Sequence, residues 1–433
     1  MKRAWIPLAV SLLLSQSLAT RAQPVDPLGP MPPADVAIPS GFPGNPIDFF
    51  DDYSWRLFGA MVWPADPARP GDPKADAGLS ATGPLVFETF KSNADTFQPG
   101  GADPGGFDAV AAANPCGAPA SRRDALVIAA FSKFEELHQA GFGELVGPII
   151  AQNKRYVRYL TGYNRIAYDH VVTNKLYLKN APPRDFPNGA IVTKSSWIEM
   201  RDIAHPERFY RRTAWIIDPA TGACTLQEMG LVGLHLVQKT ASRPQWTWST
   251  FEQADTVPEP PPAPATFHDG SAAPMPARNP YDQAGAVVPA PFNITRITPI
   301  HPATLATNAR FQARLAQQNS VWRFYKLVMT QWPLGVATPQ TPGNPANTFP
   351  GTGATTAFAN TTMETFDQKR ITTGCMACHN LTREQTDFVW SVSTHAFSQE
   401  ETTLSALSGR RKQDRSLRAL KALMEKATRA PRR

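Results

Sequence analysis

The sequence predicts an α+β fold, with mixed helices and a mainly antiparallel sheet in a loop- and proline-rich chain. Three observations predict it. Helical spacing of apolar residues marks blocks before residue 180 and after residue 308. β-Rich segments separated by Gly and Pro fill residues 186–251. Prolines number 43 in 433 residues, about twice the usual share of roughly 5%. A hydrophobic content of 42% and ten tryptophans supply core material and argue against general disorder.

The chain opens with a secretory pattern. Lys2 and Arg3 precede an apolar run over residues 4–14, and small residues at Thr20 and Ala22 suit cleavage between Ala22 and Gln23. The run is shorter than the roughly 20 residues of a spanning helix. Residues 1–22 therefore read as a signal peptide. The mature chain is expected to be exported, to the periplasm in a Gram-negative cell. Residues 23–48 are a Pro/Gly-rich extension.

Folding proper is expected from residue 49. Residues 49–60 form an aromatic helix, and VFETFK at 86–91 resumes an apolar, helical segment. Ser121 with Asp124 opens a capped helix through Val127, Phe131 and Phe134, with His138 at its end and Gly141 closing it. A second helix covers residues 157–179. Strands follow at 190–200, 212–217, 224–239 and 245–251. In the third, Leu231, Gly233, His235 and Val237 share one face and Val232, Leu234 and Leu236 the other, which makes it an interior strand. Residues 257–302 hold twelve prolines and read as a long crossing loop anchored by Phe267, Tyr281 and Phe292. Residues 308–332 form a helical block, and 361–369 a short helix.

The stretch that commits the chain to chemistry is Cys375-Met376-Ala377-Cys378-His379. Two cysteines two residues apart, with histidine directly after the second, read as a c-type haem attachment site. Each thiol can form a thioether to a haem vinyl group, and His379 follows as proximal iron ligand. A bare CxxC also occurs as a redox dithiol or half a zinc site. No second CxxC accompanies this one. One covalent haem c is the expected cofactor, carried in a short C-terminal helical segment (residues 355–400) of a single large domain, residues 49–400.

Cys116 and Cys224 remain. In an oxidising compartment such a pair reads as a disulfide; two buried cysteines that never meet are the alternative. The formal charge is +7, but residues 401–433 carry ten Lys/Arg against three acidic side chains, so residues 23–400 are net negative. This basic tail, helical or disordered, suits an anionic membrane surface or an acidic partner. Nucleic acid is not an expected partner, because export removes the opportunity.

What the haem would do depends on the second axial position. His395 is the distal candidate in sequence, against the plain alternative of a surface histidine. Met329, Met363 and His301 are further candidates, with core packing and loop capping as their ordinary roles, and Met424 is a poor one.

Six segments together resemble exported bacterial monohaem proteins, the cytochrome c family proteins. They are WRLFGAMVWP at 55–64, VFETFK at 86–91, GLVGLHLVQKT at 230–240, QWTWSTFEQADTVP at 245–258, TQWP at 330–333, and residues 360–379, which open NTTMETF and close GCMACH. The resemblance implies covalent haem c through Cys375 and Cys378 with His379 as axial ligand. It implies no substrate. The leading functional expectation is electron transfer with a redox partner protein or a small-molecule donor or acceptor. The alternatives are a peroxidase- or oxygenase-like haem enzyme with an open distal site under Trp246, Trp248 or His235, and a haem-based redox or ligand sensor.

Overall fold

The structure, a computed structural model, describes residues 28–80, 82–109, 126–128, 149–217, 224–277, 290–332, 359–368, 374–379 and 382–396. The expected signal segment, the basic tail, Cys116, His138, Tyr281 and Met424 lie outside the described residues.

Helix α1 (Pro46–Met61) begins ahead of the expected aromatic run, because Asn45 accepts the Ile47 N–H through its side chain at 3.0 Å and Pro46 occupies the first turn. A hairpin of β1 (Ala65–Asp66) and β2 (Arg69–Pro73) follows. VFETFK is not an α-helix: Val86–Thr89 is a single 3-10 turn that feeds β3 (Lys91–Ser92) and α2 (Asn93–Thr96).

Two further helix expectations are corrected. Leu126–Ile128, inside the block expected as helix, is strand β4 and pairs parallel with residues 214–216. Its apolar, partly β-branched run buries Leu126 and Ile128 in the core. The helix expected over 157–179 is β5 (Arg158–Tyr163) followed by α3 (Arg165–Thr173). Asn164 divides them, its side chain accepting the Ala167 and Ile191 N–H groups; it caps the helix and ties it to the next strand.

The β-rich centre forms β6 (Ile191–Glu199), β7 (Arg211–Ile217), β8 (Cys224–Thr240) and β9 (Arg243–Gln253), within a residue or two of expectation. The proline-rich crossing carries the small hairpin β10 (Pro264–Ala265) and β11 (His268–Asp269), with Phe267 fully buried as its anchor. Helix α4 (Pro302–Gln317) starts earlier than the sequence suggests, and His301 caps it by accepting the Ala303 N–H at Nδ1. In the rest of that block Val321–Phe324 is a 3-10 turn, and YKLVMTQ is not helix but strand β12 (Tyr325–Gln331). Short helices α5 (Cys375–His379), α6 (Arg383–Thr386) and α7 (Trp390–His395) end the described chain.

The large sheet runs β12-β9-β8-β6-β5-β3, with β7 on β8 and β4 on β7. Every pairing is antiparallel except β4 with β7. The fold is α+β. β8 is interior as expected, but its faces slip at one point. Ser196 opposes Gly233 while Trp197 opposes Leu231, so Val232 is an extra residue. Leu231 therefore joins Leu234 and Leu236 under α1 and α4, and Val232 goes to the opposite core. His235 and Val237 stay on that opposite face, which carries α5.

Under α1 and α4 the core is aromatic. Trp55 stacks on Phe311 at 5.1 Å and meets Phe251 edge-on at 5.2 Å. Asp51 is sealed in the same layer, accepting a 2.7 Å hydrogen bond from Thr330. Burial pushes its carboxyl up to about 7; the Thr304 and Thr330 hydroxyls partly offset this, and Asp48 and Asp52 add to it. A raised folded-state value means the folded chain holds a proton that the unfolded chain has released. The associated stability is complete below the unfolded value near 3.9 and is lost as pH rises through about 7. Thermal unfolding followed from pH 4 to 8 should show stability falling with pH, by at most about 1.4 kcal/mol per pH unit for this one proton. Asp51→Asn should flatten that part, leaving the slopes of Glu88 and Asp387, which are also pushed up to about 7.

Candidate functional site

The motif residues sit on one short helix. The Met376 N–H donates to Gln331 Oε1 at the end of β12 (3.1 Å), and Trp390 Nε1 donates to the Cys378 carbonyl (3.2 Å). Neither Cys375 nor Cys378 is in a disulfide. Burial pushes the Cys375 thiol up, with Glu364 adding to the shift. A redox dithiol requires the opposite, a depressed thiol that supplies thiolate. Cys224, at the start of β8, is disulfide-bonded.

His379 is the fixed point. Its Nδ1 lies 2.7 Å from the carbonyl oxygen of Phe388. A carbonyl can only accept, so Nδ1 carries the proton and Nε2 keeps its lone pair. Trp248 packs against the ring at 4.3 Å. Burial pushes the imidazole down to about 3; Lys194 and His235 push it the same way, while the Phe388 carbonyl and Glu364 pull against them. The ring is thus a neutral nitrogen donor throughout the ordinary pH range.

The Phe388 carbonyl is aimed by a strained turn. Asp387 and Phe388 both have left-handed backbones, at φ 46° and 71°. For non-glycine residues this conformation persists only where the surroundings enforce it. Here they do. Asp387 Oδ2 accepts from Lys239 Nζ at 2.6 Å and from the Phe186 N–H at 2.9 Å, and the Asp387 carbonyl accepts from Trp246 Nε1 at 3.1 Å. Lys239 and Asp387 side chains are only 5% and 2% exposed. Burial pushes the Asp387 carboxyl up to about 7 against the pull of Lys239. Trp246, expected as part of a distal roof, instead braces the turn behind His379.

The other histidines fall in different places. His395 Nδ1 contacts the Ser391 carbonyl and the Thr394 hydroxyl, both at 2.9 Å, and the ring stacks on Phe97. His235 lies beside the motif, with Nε2 3.1 Å from Glu364 Oε1, an oxygen that also attracts Lys194 Nζ at 3.6 Å. Met363 is buried in the core, and Met329 packs in a small cluster at the sheet edge. The Lys239–Asp387–Trp246 brace and the Lys194–Glu364 pair were not foreseen. Alternation along β8 carried part of the signal, since it set His235 and Val237 on one face; the brace had none.

The donor set fits a haem c. Two thiols and a neutral histidine with its outer nitrogen anchored are what covalent attachment and proximal ligation require. Among the described residues no three His, Cys, Asp or Glu side chains gather as a metal-holding group. No helix among the described residues is long and apolar enough to cross a membrane. Comparisons with protein-family models, with curated proteins and with solved structures each found no match.

Proposed function

We propose that this chain is an exported c-type haem protein that transfers electrons through one haem held by Cys375, Cys378 and His379. The observation that carries the reading is His379 itself: an imidazole held at Nδ1 by the Phe388 carbonyl, directly after two cysteines that are not joined in a disulfide. The haem iron would supply one-electron chemistry. The protein's own part is to keep His379 neutral and oriented, through the turn at Asp387 and Phe388, and to place Trp248 beside it. Export is supported by the amino-terminal signal pattern and by the disulfide at Cys224. A redox partner protein or small-molecule donor or acceptor is implied, and the basic tail is the segment best suited to an acidic partner or anionic membrane surface.

The test is expression alongside a c-type maturation system, followed by acidified-acetone extraction and a pyridine haemochrome assay. The pigment should stay with the polypeptide at one haem per chain. Cys375→Ser/Cys378→Ser should abolish retention, and each single variant should weaken it. Colourless wild-type protein, or pigment that extracts freely, would sink the proposal.

A further inference from the structure

We infer that His235 is the second protein ligand of the iron, alongside His379, in place of the His395 that the sequence suggests. The inference rests on the haem reading above and concerns only this chain's residues toward that group.

His235 is held by the sheet's middle strands. Its register partners are Lys194 on β6 and Thr250 on β9, and two residues further along β8, Val237 opposes Trp248. Trp248 is the residue packed on His379. Side chains two apart on one strand face share a side of the sheet at roughly 7 Å. His235 therefore stands one row from the indole that touches the proximal histidine.

The ring's hydrogen bonding is that of a ligand. Nε2 faces Glu364 Oε1 at 3.1 Å, and the other carboxylate oxygen accepts the Asn360 N–H at 3.3 Å, so the carboxylate is itself pinned. The side chain of His235 is 13% exposed, and its Nδ1 is buried with no hydrogen-bond partner. A histidine that gives one N–H to a carboxylate has its lone pair on the other nitrogen, the arrangement of metal-bound imidazoles. A buried nitrogen without a partner is costly to keep, and a metal ion is the partner that would satisfy it. His395 shows no such buried, unpartnered nitrogen, and its ring stacks on Phe97. His301 is spent on capping α4.

The experiment uses full-length haem-loaded protein, with optical and electron paramagnetic resonance spectra as readouts. Wild type and His395→Ala should both show low-spin ferric iron with two-histidine signatures and little response to cyanide or carbon monoxide. His235→Ala should turn high-spin and bind both, and added imidazole should restore the low-spin spectrum. His235→Met should regain low spin with a thioether charge-transfer band, which a merely structural role for His235 would not produce. An unchanged low-spin spectrum in His235→Ala overturns the assignment, as does a high-spin wild type, which would favour an open, enzyme-like iron. Wild type without covalent haem overturns the earlier reading and this one together, so the two failures are told apart by the haemochrome assay.

Discussion

Asp387→Ala should destabilise the protein by about 3–5 kcal/mol, the usual cost of removing one partner from a buried ion pair. The substitution strands Lys239 in a site where its side chain is only 5% exposed, and it also removes the acceptor of the Phe186 N–H. Both losses are desolvation penalties, which are larger than the net worth of the bonds themselves. Urea unfolding above pH 7, where the Asp387 carboxylate is ionised in the fold, should show the loss as a lower midpoint at constant m. Lys239→Met/Asp387→Leu should lose clearly less than the two single changes together, because it leaves no orphan charge. A double variant as unstable as the sum would show that the pair is not the origin. In haem-loaded protein, Asp387→Ala should also broaden the spectroscopic signature of His379, since the left-handed turn that presents the Phe388 carbonyl has lost its anchor.

Trp55→Ala should cost a similar amount on the other side of the sheet, about 3–5 kcal/mol. The indole is fully buried against Phe58, Phe251 and Phe311 and donates from Nε1 to Asn308 at 3.0 Å. Asn308 is committed elsewhere too, accepting the Leu327 N–H and donating to the Leu327 carbonyl. Trp55 thus ties α1 to α4, and through Asn308 to β12. Trp55→Phe keeps part of the stack and should lose only about 1 kcal/mol with the hydrogen bond. Equal midpoints for the Ala and Phe variants would show that aromatic packing is not what the site supplies.

The strands of the centre were legible because β-branched and aromatic alternation continues over many residues between clear turn signals. Residues 158–163 misled because they adjoin a true helix across Asn164, and 325–331 because a 3-10 turn at Val321–Phe324 carries apolar spacing on from α4 into the strand. VFETFK misled because a run of six residues mixing apolar, polar and charged side chains fits several short conformations. As a candidate site the motif was legible, since Cys375, Cys378 and His379 lie within five residues of the chain. Its support was not. Lys239, Trp246 and Asp387 meet only through the sheet's folding, and no spacing rule links positions so far apart. The slip at Val232 was equally invisible, because an extra residue in one strand shows only against its neighbour.

The brace behind His379 joins distant parts of the chain. Trp246 and Asp387 are 141 residues apart, Lys239 and Asp387 are 148 apart, and Phe186 and Asp387 are 201 apart. The hairpin between β8 and β9 closes across only two residues, Ala241 and Ser242. Closing short loops first is entropically easier than closing long ones. The β8–β9 hairpin would therefore form before the last helices settle on the sheet, and those helices would also be the first to lift away. Their amide hydrogens should exchange with solvent by a separate, lower-energy opening than the strands beneath. Any enzyme that joins a cofactor to Cys375 and Cys378 would have to act during that interval, in competition with the final docking of the segment it modifies.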